Sequence, residues 1–372
     1  MKTALHNLRL ITDGMIATSK AVIIENDKIV DIIADAQLPA DVKQIDLQNN
    51  YLAPGLIDLQ IYGSGSPLFF GGNPSAAALA QMEQSLLAQG CTGFLATIAT
   101  NTDDVVARGI DAALQHWDNR LGNFWGLHLE GPFLNSERCG AHPPALIKKA
   151  TLTLVKGWVE KAKGLIKMIT IAPELQDADV IEYLHAQGIV LSSGHSNATY
   201  TEGKVFLNKP IQAVTHLFNA MPPMHHRNPG YIPAIFEERP FTSIVVDGIH
   251  VDPVMVRLAK RELTDKLFLI TDAVTESDQG TYQHKFKGDR YVMPDGTLSG
   301  SSLSMLKAVQ NCVELVDIDL PEAVNMASLY PAQLVGAANR GQINKGCVAD
   351  LIVFDDDFNI HHVILGGLIK TT

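Results

Sequence analysis

The middle of the chain alternates short apolar runs with longer stretches in which apolar residues recur at helical spacing. The runs are apolar on both faces, which is typical of parallel strands covered by helices on both sides. The helical stretches between them include residues 76–89 and 177–187. Eight such runs follow one another: GLIDLQI, TGFLATI, FWGLHLE, LIKMITI, IVLSSGH, QAVTHLF, TSIVVDG and KLFLITD.

Eight strand–helix units over roughly 250 residues predict an α/β fold of the (β/α)8 type, similar to a TIM barrel. A doubly wound open sheet is the competing fold. The Gly-rich turn that marks a dinucleotide-binding sheet is absent after the first apolar run, however. The pattern therefore favours the barrel.

Both ends of the chain are rich in short β-like segments. The first fifty residues contain LHNLRLI, AVIIEND, KIVDIIA and QIDL, and the end contains CVADLIVFDD and HHVILGGLIK. Helical stretches at 303–315 and 320–335 precede the second set. We expect the two ends to pair into a small β-sandwich domain. The predicted boundaries are 1–52 and 339–372 for its two parts and 53–338 for the barrel.

Composition narrows the class of protein. The chain has 372 residues, 46% of them hydrophobic, and a formal net charge of −11 without a Lys/Arg run. A large buried core is therefore expected, and a nucleic-acid or anionic-membrane surface is not. The sequence shows no signal peptide and no apolar run long enough to cross a bilayer. Its four cysteines are widely spaced, which predicts reduced thiols and a cytoplasmic location.

Several apolar runs end in a polar side chain. In a barrel, the carboxyl ends of the strands form the mouth in which active sites lie. We therefore expect these residues to converge. They are Gln60, Thr97, Glu130, Glu174, His195, His216, the segment 247–250 and Asp272.

Three of these strand ends predict a metal site. Glu130, His195 and His216 offer one carboxylate and two imidazoles, a ligand set that leaves a fourth position open for water. Each residue alone could be a surface, capping or hydrogen-bonded structural residue, but three on separate strands favour a metal. Asp272 is predicted to be the general base that accepts a proton from the water, with a helix N-cap as the alternative.

Longer motifs carry a resemblance to a known family, and they run in order through nearly the whole chain. They are PGLIDLQIYG, HLEGPFLN, SSGHSNATY, THLFNAMPPMHHRNPG, VVDGIHVDP, LITDAVTE, LSGSSLSM and GCVADLIVFD. Together they resemble the N-acetylglucosamine-6-phosphate deacetylase family of the amidohydrolase superfamily.

The resemblance implies hydrolysis of the acetamide of N-acetylglucosamine 6-phosphate, giving glucosamine 6-phosphate and acetate. By the same resemblance the metal ligands are Glu130, His195 and His216. Asp272 is implied to act first as base and then as acid, and His142 to contact the scissile carbonyl or its oxyanion.

The resemblance also implies contacts with the phosphate from Asn219, Ala220, Arg227 and His250. Arg227 would come from the neighbouring subunit of a homodimer or higher homo-oligomer. From the residues alone, Arg227 could equally be a solvated loop residue and Asn219 could cap a turn. A sugar phosphate is the expected small-molecule partner.

The chain departs from the family pattern in two respects, which are the end of its first strand and two pocket positions, Tyr62 and Ser299. The first strand ends in Gln60-Ile61-Tyr62 and not in His-x-His, which predicts one divalent metal per subunit. Gln60 is expected to line the substrate pocket, with a satisfied strand-end amide as the alternative. Tyr62 replaces a smaller polar residue, and Ser299 stands where the family usually has Ala.

Some alternatives remain open at the level of sequence. Zinc is the default metal, but Fe2+, Mn2+ and Co2+ accept the same ligands. The substrate could be the galactosamine isomer or another amide, because a choice between epimers depends on pocket shape. A catalytically silent scaffold is the third reading, and the intact ligands and Asp272 count against it.

Overall fold

A computed structural model describes residues 2–65, 68–278 and 280–370 of the chain. The N-terminal part forms most of one sheet, in which β1 pairs antiparallel with β3 and parallel with β5. Apolar side chains from these strands pack together in a core separate from that of the barrel. The strands are β1 (Lys2–Thr12), β2 (Met15–Ala17), β3 (Lys20–Glu25), β4 (Lys28–Ala34) and β5 (Lys43–Pro54).

The middle of the chain forms eight parallel strands that neighbour one another in sequence order. The first and last strands are also joined, because Tyr62 N donates to Ala273 O at 2.9 Å and Asp272 N donates to Gln60 O at 3.0 Å. The predicted barrel is therefore confirmed. Its strands are β6 (Leu56–Ile61), β7 (Cys91–Ala99), β8 (Phe124–Glu130), β9 (Ile166–Ile171), β10 (Val190–Ser193), β11 (Ala213–Val214), β12 (Phe241–Ile244) and β13 (Leu267–Leu269).

Helices cover the outside of the barrel between consecutive strands. Several begin at a side chain that satisfies a free backbone N–H of the first turn. Ser75 accepts from Ala78 N at 3.1 Å, and Thr199 forms a capping box with Glu202. The helices are α1 (Ala76–Ala88), α2 (Asp103–Trp117), α3 (Leu152–Ala162), α4 (Ala178–Ala186), α5 (Tyr200–Phe206), α6 (Ile232–Glu238) and α7 (Pro253–Leu263).

The last third of the chain closes over the barrel and returns to the first sheet. Ser301 N donates to Asp272 O at 3.1 Å, which holds the small sheet β14–β16 at the barrel mouth. β17 pairs antiparallel with β5, so both chain ends share one sheet, as predicted. The elements are β14 (Lys285–Phe286), β15 (Arg290–Val292), β16 (Leu298–Ser301), α8 (Met305–Glu314), α9 (Leu320–Ala327), α10 (Leu329–Leu334), β17 (Leu351–Phe354), β18 (Ile360–Leu365) and β19 (Leu368–Lys370).

Two elements differ from their prediction. The run QAVTHLF is a strand only over Ala213–Val214, because the backbone turns at His216, where φ is 36°. The helix predicted over 320–335 divides at Ser328, and Pro331 has no N–H with which to continue the helical hydrogen bonds. In the described part of the chain, no helix has the length and apolar content needed to span a bilayer.

Candidate metal centre and active site

The strand-end residues predicted to hold a metal lie together at the barrel mouth. Glu130 is the last residue of β8, and His195 and His216 each follow a strand by two residues. One ligand atom from each of the three lies within 4.8 Å of the others. All three are buried, and none of the three residues is more than 6% exposed.

The spacing of these atoms fits a metal ion. Glu130 Oε1 lies 3.1 Å from His216 Nε2 and 3.5 Å from His195 Nε2, and the two Nε2 atoms are 3.0 Å apart. A tetrahedral ion with ligand bonds of about 2.1 Å separates its ligands by about 3.4 Å. Three electron-pair donors this close together favour a cation between them.

The loops around the centre fix the orientation of His195. Its Nδ1 lies 2.8 Å from Arg138 O, which assigns the ring proton to Nδ1 and leaves the Nε2 lone pair for the metal. Its backbone oxygen accepts from Asn135 N at 2.9 Å. His216 Nδ1 is buried and has no hydrogen-bond partner among the described residues.

Other polar groups surround the Glu130 carboxylate. Gln60 Nε2 lies 3.0 Å from Oε1, His142 Nε2 lies 3.1 Å from Oε2, and the Tyr62 hydroxyl donates to Oε2. Burial raises the pKa of such a carboxyl, but the close contacts of its oxygens with three surrounding histidines hold the pKa of Glu130 well below its usual range. Glu130 is therefore anionic at neutral pH, as a metal ligand must be.

Asp272 has the opposite electrostatic environment. Burial and the negative charge of Glu130 raise the pKa of Asp272 well above its usual range. Gln60 Nε2 donates to its Oδ1 at 2.8 Å, and His250 Nε2 lies 4.0 Å from its Oδ2. Two neighbouring carboxyls with pKa values shifted in opposite directions are suited to different roles. A divalent cation beside Glu130 would offset the charge that Asp272 experiences.

The residues expected to bind phosphate divide into two groups. Asn219, Ala220 and His250 line the pocket, and His250 is held by Asp247, whose Oδ2 lies 2.6 Å from its Nδ1. Burial raises the pKa of Asp247, but the bonds from His250 outweigh this effect and lower it. Arg227 lies on an exposed loop and does not line the pocket of its own chain.

Some predicted strand ends serve other contacts. Thr97 Oγ1 accepts from Ile61 N at 3.1 Å, and Glu174 accepts from Asn197 N at 2.8 Å. Gln60 lies behind the pocket, on the Glu130 and Asp272 carboxylates, and its predicted contact with substrate remains a prediction.

The pocket also includes residues that the sequence did not indicate. It has a volume of about 150 Å³, and its wall contains aromatic and aliphatic side chains besides the polar strand-end residues. Val274 and Leu298 lie within motifs quoted above, whereas Phe69, Tyr282 and His284 lie outside them and reach the mouth from segments far apart in sequence. Ser299, which departs from the family pattern, lines the pocket too, and its buried hydroxyl has no partner in the described residues. The residues that the sequence did not indicate include Phe69, Ala99, Val274, Tyr282, His284 and Leu298.

Comparisons with known proteins find similar sequences and structures over nearly the whole chain. A model of the amidohydrolase family matches residues 51–370, and a model of the NagA composite domain matches residues 4–52. The chain is 34% identical to N-acetylglucosamine-6-phosphate deacetylase of Haemophilus influenzae over 99% of both chains. It is 32% identical to N-acetylgalactosamine-6-phosphate deacetylase of Shewanella sp. strain ANA-3, over 96% of this chain and 90% of that protein. The crystal structure of N-acetylglucosamine-6-phosphate deacetylase from Pasteurella multocida matches with a TM-score of 0.95 and 31% identity, covering 100% of both chains.

Proposed function

Because the chain belongs to the amidohydrolase family, we propose that it hydrolyses the acetamide of N-acetylglucosamine 6-phosphate to glucosamine 6-phosphate and acetate. The observation that carries this function is the convergence of Glu130, His195 and His216 on one point, with Asp272 beside them. Relatives with this activity match nearly the whole chain, including the motifs that bear these residues.

The family is metal-dependent, and this chain has a matching Glu/His/His site. A bound divalent ion supplies a polarised substrate carbonyl and a water molecule of lowered pKa. We propose one ion per subunit, because Gln60 and Tyr62 replace the histidines that would hold a second. Zinc is the proposed metal, since one carboxylate and two imidazoles with an open position form a common catalytic zinc site.

Asp272 is proposed to transfer the proton. It accepts a proton from the attacking water and returns it to the amine, which is a poor leaving group until protonated. Gln60 Nε2 lies 2.8 Å from Asp272 Oδ1 and 3.0 Å from Glu130 Oε1, so one amide group fixes the positions of both carboxylates. His142 is proposed to contact the carbonyl oxygen as negative charge develops there.

The phosphate of the substrate is proposed to bind at the part of the pocket that is lined by Asn219, Ala220 and His250. Asn219, the Ala220 backbone N–H and His250 supply donors from one chain. Arg227 supplies the fork-shaped guanidinium from a second copy, because it is exposed and outside its own pocket. We therefore propose a homodimer or a higher homo-oligomer. We also propose a cytoplasmic location, which suits four cysteines that form no disulfide.

Acetate release by zinc-loaded protein tests this function. The substrates are N-acetylglucosamine 6-phosphate, its unphosphorylated form and the galactosamine 6-phosphate isomer, with Glu130→Ala as the control. We expect wild type to release acetate from N-acetylglucosamine 6-phosphate and the Glu130→Ala control to release none. Faster release from the galactosamine isomer would favour the second candidate substrate, for which the Shewanella relative is the argument. No release from any of them, with metal bound, would overturn the proposal in favour of another amide or a silent scaffold.

A further inference from the structure

The active-site pocket has two chemically different ends. Asn219, Ala220 and His250 form the polar end, in which Asn219 Nδ2 lies 3.4 Å from His216 O and His250 Nε2 lies 4.0 Å from Asp272 Oδ2. The other end is an apolar wall, which we define as the buried cluster of Tyr62, Phe69, Ala99, Val274 and Tyr282. This cluster is separate from the main barrel core, and all five of its residues line the pocket.

The tyrosines in the apolar wall present ring surface to the pocket, because their hydroxyls are already engaged. The Tyr62 hydroxyl donates to Glu130 Oε2, and the Tyr282 hydroxyl donates to Thr100 O at 2.7 Å. Phe69 lies between the two rings, with centroid distances of 6.3 Å to Tyr62 and 5.8 Å to Tyr282. The wall therefore offers hydrocarbon to whatever enters this end.

Close backbone contacts fix the wall in place. Gly71 N donates to Tyr62 O at 3.0 Å, and Ala99 N donates to Gly71 O at 3.0 Å. A Cβ atom at Gly71 would lie 2.6 Å from the Tyr62 ring and 2.9 Å from the Phe69 ring. Phe69 is 5% exposed, and its ring is packed against Gly71, Tyr62 and Tyr282.

The reacting amide has a defined place relative to this wall. It must lie between the metal centre and Asp272, with its carbonyl near His142, whose Nδ1 is 3.2 Å from the Tyr282 hydroxyl. The sugar and its phosphate extend toward the polar end. The remaining substituent of the carbonyl, the acyl carbon chain, then faces the apolar wall.

We propose that the apolar wall is the acyl-binding site and that Phe69 limits the length of the acyl group. This inference rests on the proposed function, and it assigns the selection of a short N-acyl group to the apolar wall. An acetyl methyl gains apolar contact there, whereas a longer chain meets a fixed ring.

The space behind Phe69 makes this limit testable. Phe69, Tyr282 and His284 line the pocket and also a larger groove of about 960 Å³ on their far side. These three residues therefore form the partition between the two spaces. Removing the Phe69 ring would open the acyl end into the groove and give a longer chain room.

The test compares kcat/KM for the N-acetyl, N-propionyl and N-butyryl forms of glucosamine 6-phosphate, measured by glucosamine 6-phosphate formation. The reaction is the same amide hydrolysis, with water consumed and propionate or butyrate released in place of acetate. The metal-loaded proteins are wild type, Phe69→Ala, the milder Phe69→Leu, and Phe358→Ala as a control in the turn between β17 and β18. Tyr62 and Tyr282 remain unchanged because both hydroxyls serve the site.

The expected result is a butyryl-to-acetyl ratio of kcat/KM that rises about tenfold or more in Phe69→Ala, which is the scale of one or two methylene groups in a fitted pocket. Phe69→Leu should lie between, and Phe358→Ala should match wild type. If the butyryl-to-acetyl ratio is equal in wild type and both Phe69 variants, the inference is overturned. Acetate release by these proteins would still support the proposed function. If wild type releases no acetate at all, the proposed function fails and the inference fails with it.

Discussion

Three of the four residues at the centre of the site have an uncommon backbone conformation. His195, His216 and Asp272 have φ values of 47°, 36° and 54°. Side chains rarely adopt this left-handed region unless the surrounding structure requires it, and such strain concentrates at functional sites. Here it turns the chain sharply at the end of a strand and directs the side chain into the mouth.

Asp272→Asn tests the role of the proposed base. The amide keeps the size of the side chain and a partner for Gln60 but cannot accept the proton, so kcat should fall by about 10²–10⁴. Metal content, measured by elemental analysis, should remain that of wild type. Asp265→Asn, on an exposed turn, is the matched control. Near-full activity in Asp272→Asn would show that another group accepts the proton.

His284 should make stability depend on pH. It is buried at 2% exposure and donates from Nδ1 to Thr275 O at 3.2 Å. Burial lowers the pKa of His284 from 6.5 to about 4. The unfolded chain therefore gains a proton before the folded one does, and stability present above pH 6.5 is lost as the pH falls toward 4.

The measurement is Tm against pH for metal-free wild type and His284→Phe. The wild-type Tm should fall more steeply between pH 6.5 and 4 than that of the variant, whatever the absolute values. Parallel curves would mean that His284 does not titrate as its burial indicates.

At this scale the sequence predicted the positions of the polar strand-end residues better than it predicted the rest of the pocket lining. Glu130, His195, His216 and Asp272 stand at strand ends, where the period of the pattern locates them. Phe69 and Tyr282 could not be predicted, because each lies in a connection whose path depends on what it packs against.

At the scale of elements, Glu174 joins two loops of the site. Its Oε1 accepts from Asn135 Nδ2 at 3.1 Å and Asn197 N at 2.8 Å, and its Oε2 accepts from Ser196 Oγ at 2.7 Å. Asn135 belongs to the loop that follows β8, and Ser196 and Asn197 follow the ligand His195. The carboxylate thus orients the segment that bears His195, one of the three proposed metal ligands, and is not itself among them.

Glu174→Ala should weaken metal binding by about 10–100-fold, the usual cost of losing a group that orients a ligand. Glu174→Gln should lose much less, because an amide can still bond to the same partners. Chelator competition gives the metal Kd, and the visible spectrum of the cobalt form reports ligand geometry. Glu182→Ala, an exposed residue of α4, is the control. Equal Kd values for Glu174→Ala and wild type would exclude this role.

The elements themselves could be predicted where burial decides them. Every residue of β6 and β7 is buried, and both runs were evident from their apolar faces. β11 was predicted too long, because the apolar Leu217 and Phe218 beyond it pack inside after the chain has already turned at His216. A hydrophobic pattern reports burial, and here burial continues past the end of the strand.

At the scale of the whole molecule, no Lys or Arg among the described residues lines the pocket. Arg227 is exposed on its loop, and the residues of the same chain that we propose for phosphate binding are Asn219, Ala220 and His250. Arg227→Ala should raise KM for the phosphorylated substrate by tenfold or more while kcat changes little, since roughly 1.5–3 kcal/mol is typical of a charged hydrogen bond. Arg261→Ala, an exposed arginine on α7, is the control.

Mixing two inactive or weakened proteins tests whether Arg227 acts between subunits. After joint refolding of Arg227→Ala with Asp272→Asn, a hybrid dimer has one site with an intact base and an intact arginine from its neighbour. At low substrate concentration, activity should therefore exceed the average of the two variants alone. If mixing restores nothing although hybrids form, Arg227 does not reach the neighbouring site.

The pairing of β5 with β17 has a consequence for the order in which the protein is made. When residues 43–54 leave the ribosome, the strand that covers one edge of β5 is still about 300 residues from synthesis. Until Leu351–Phe354 arrive, that edge presents free backbone N–H and C=O groups to any neighbouring chain. The whole barrel must be synthesised within this interval, so a chain that stops short of residue 351 leaves an open strand edge that is prone to aggregation.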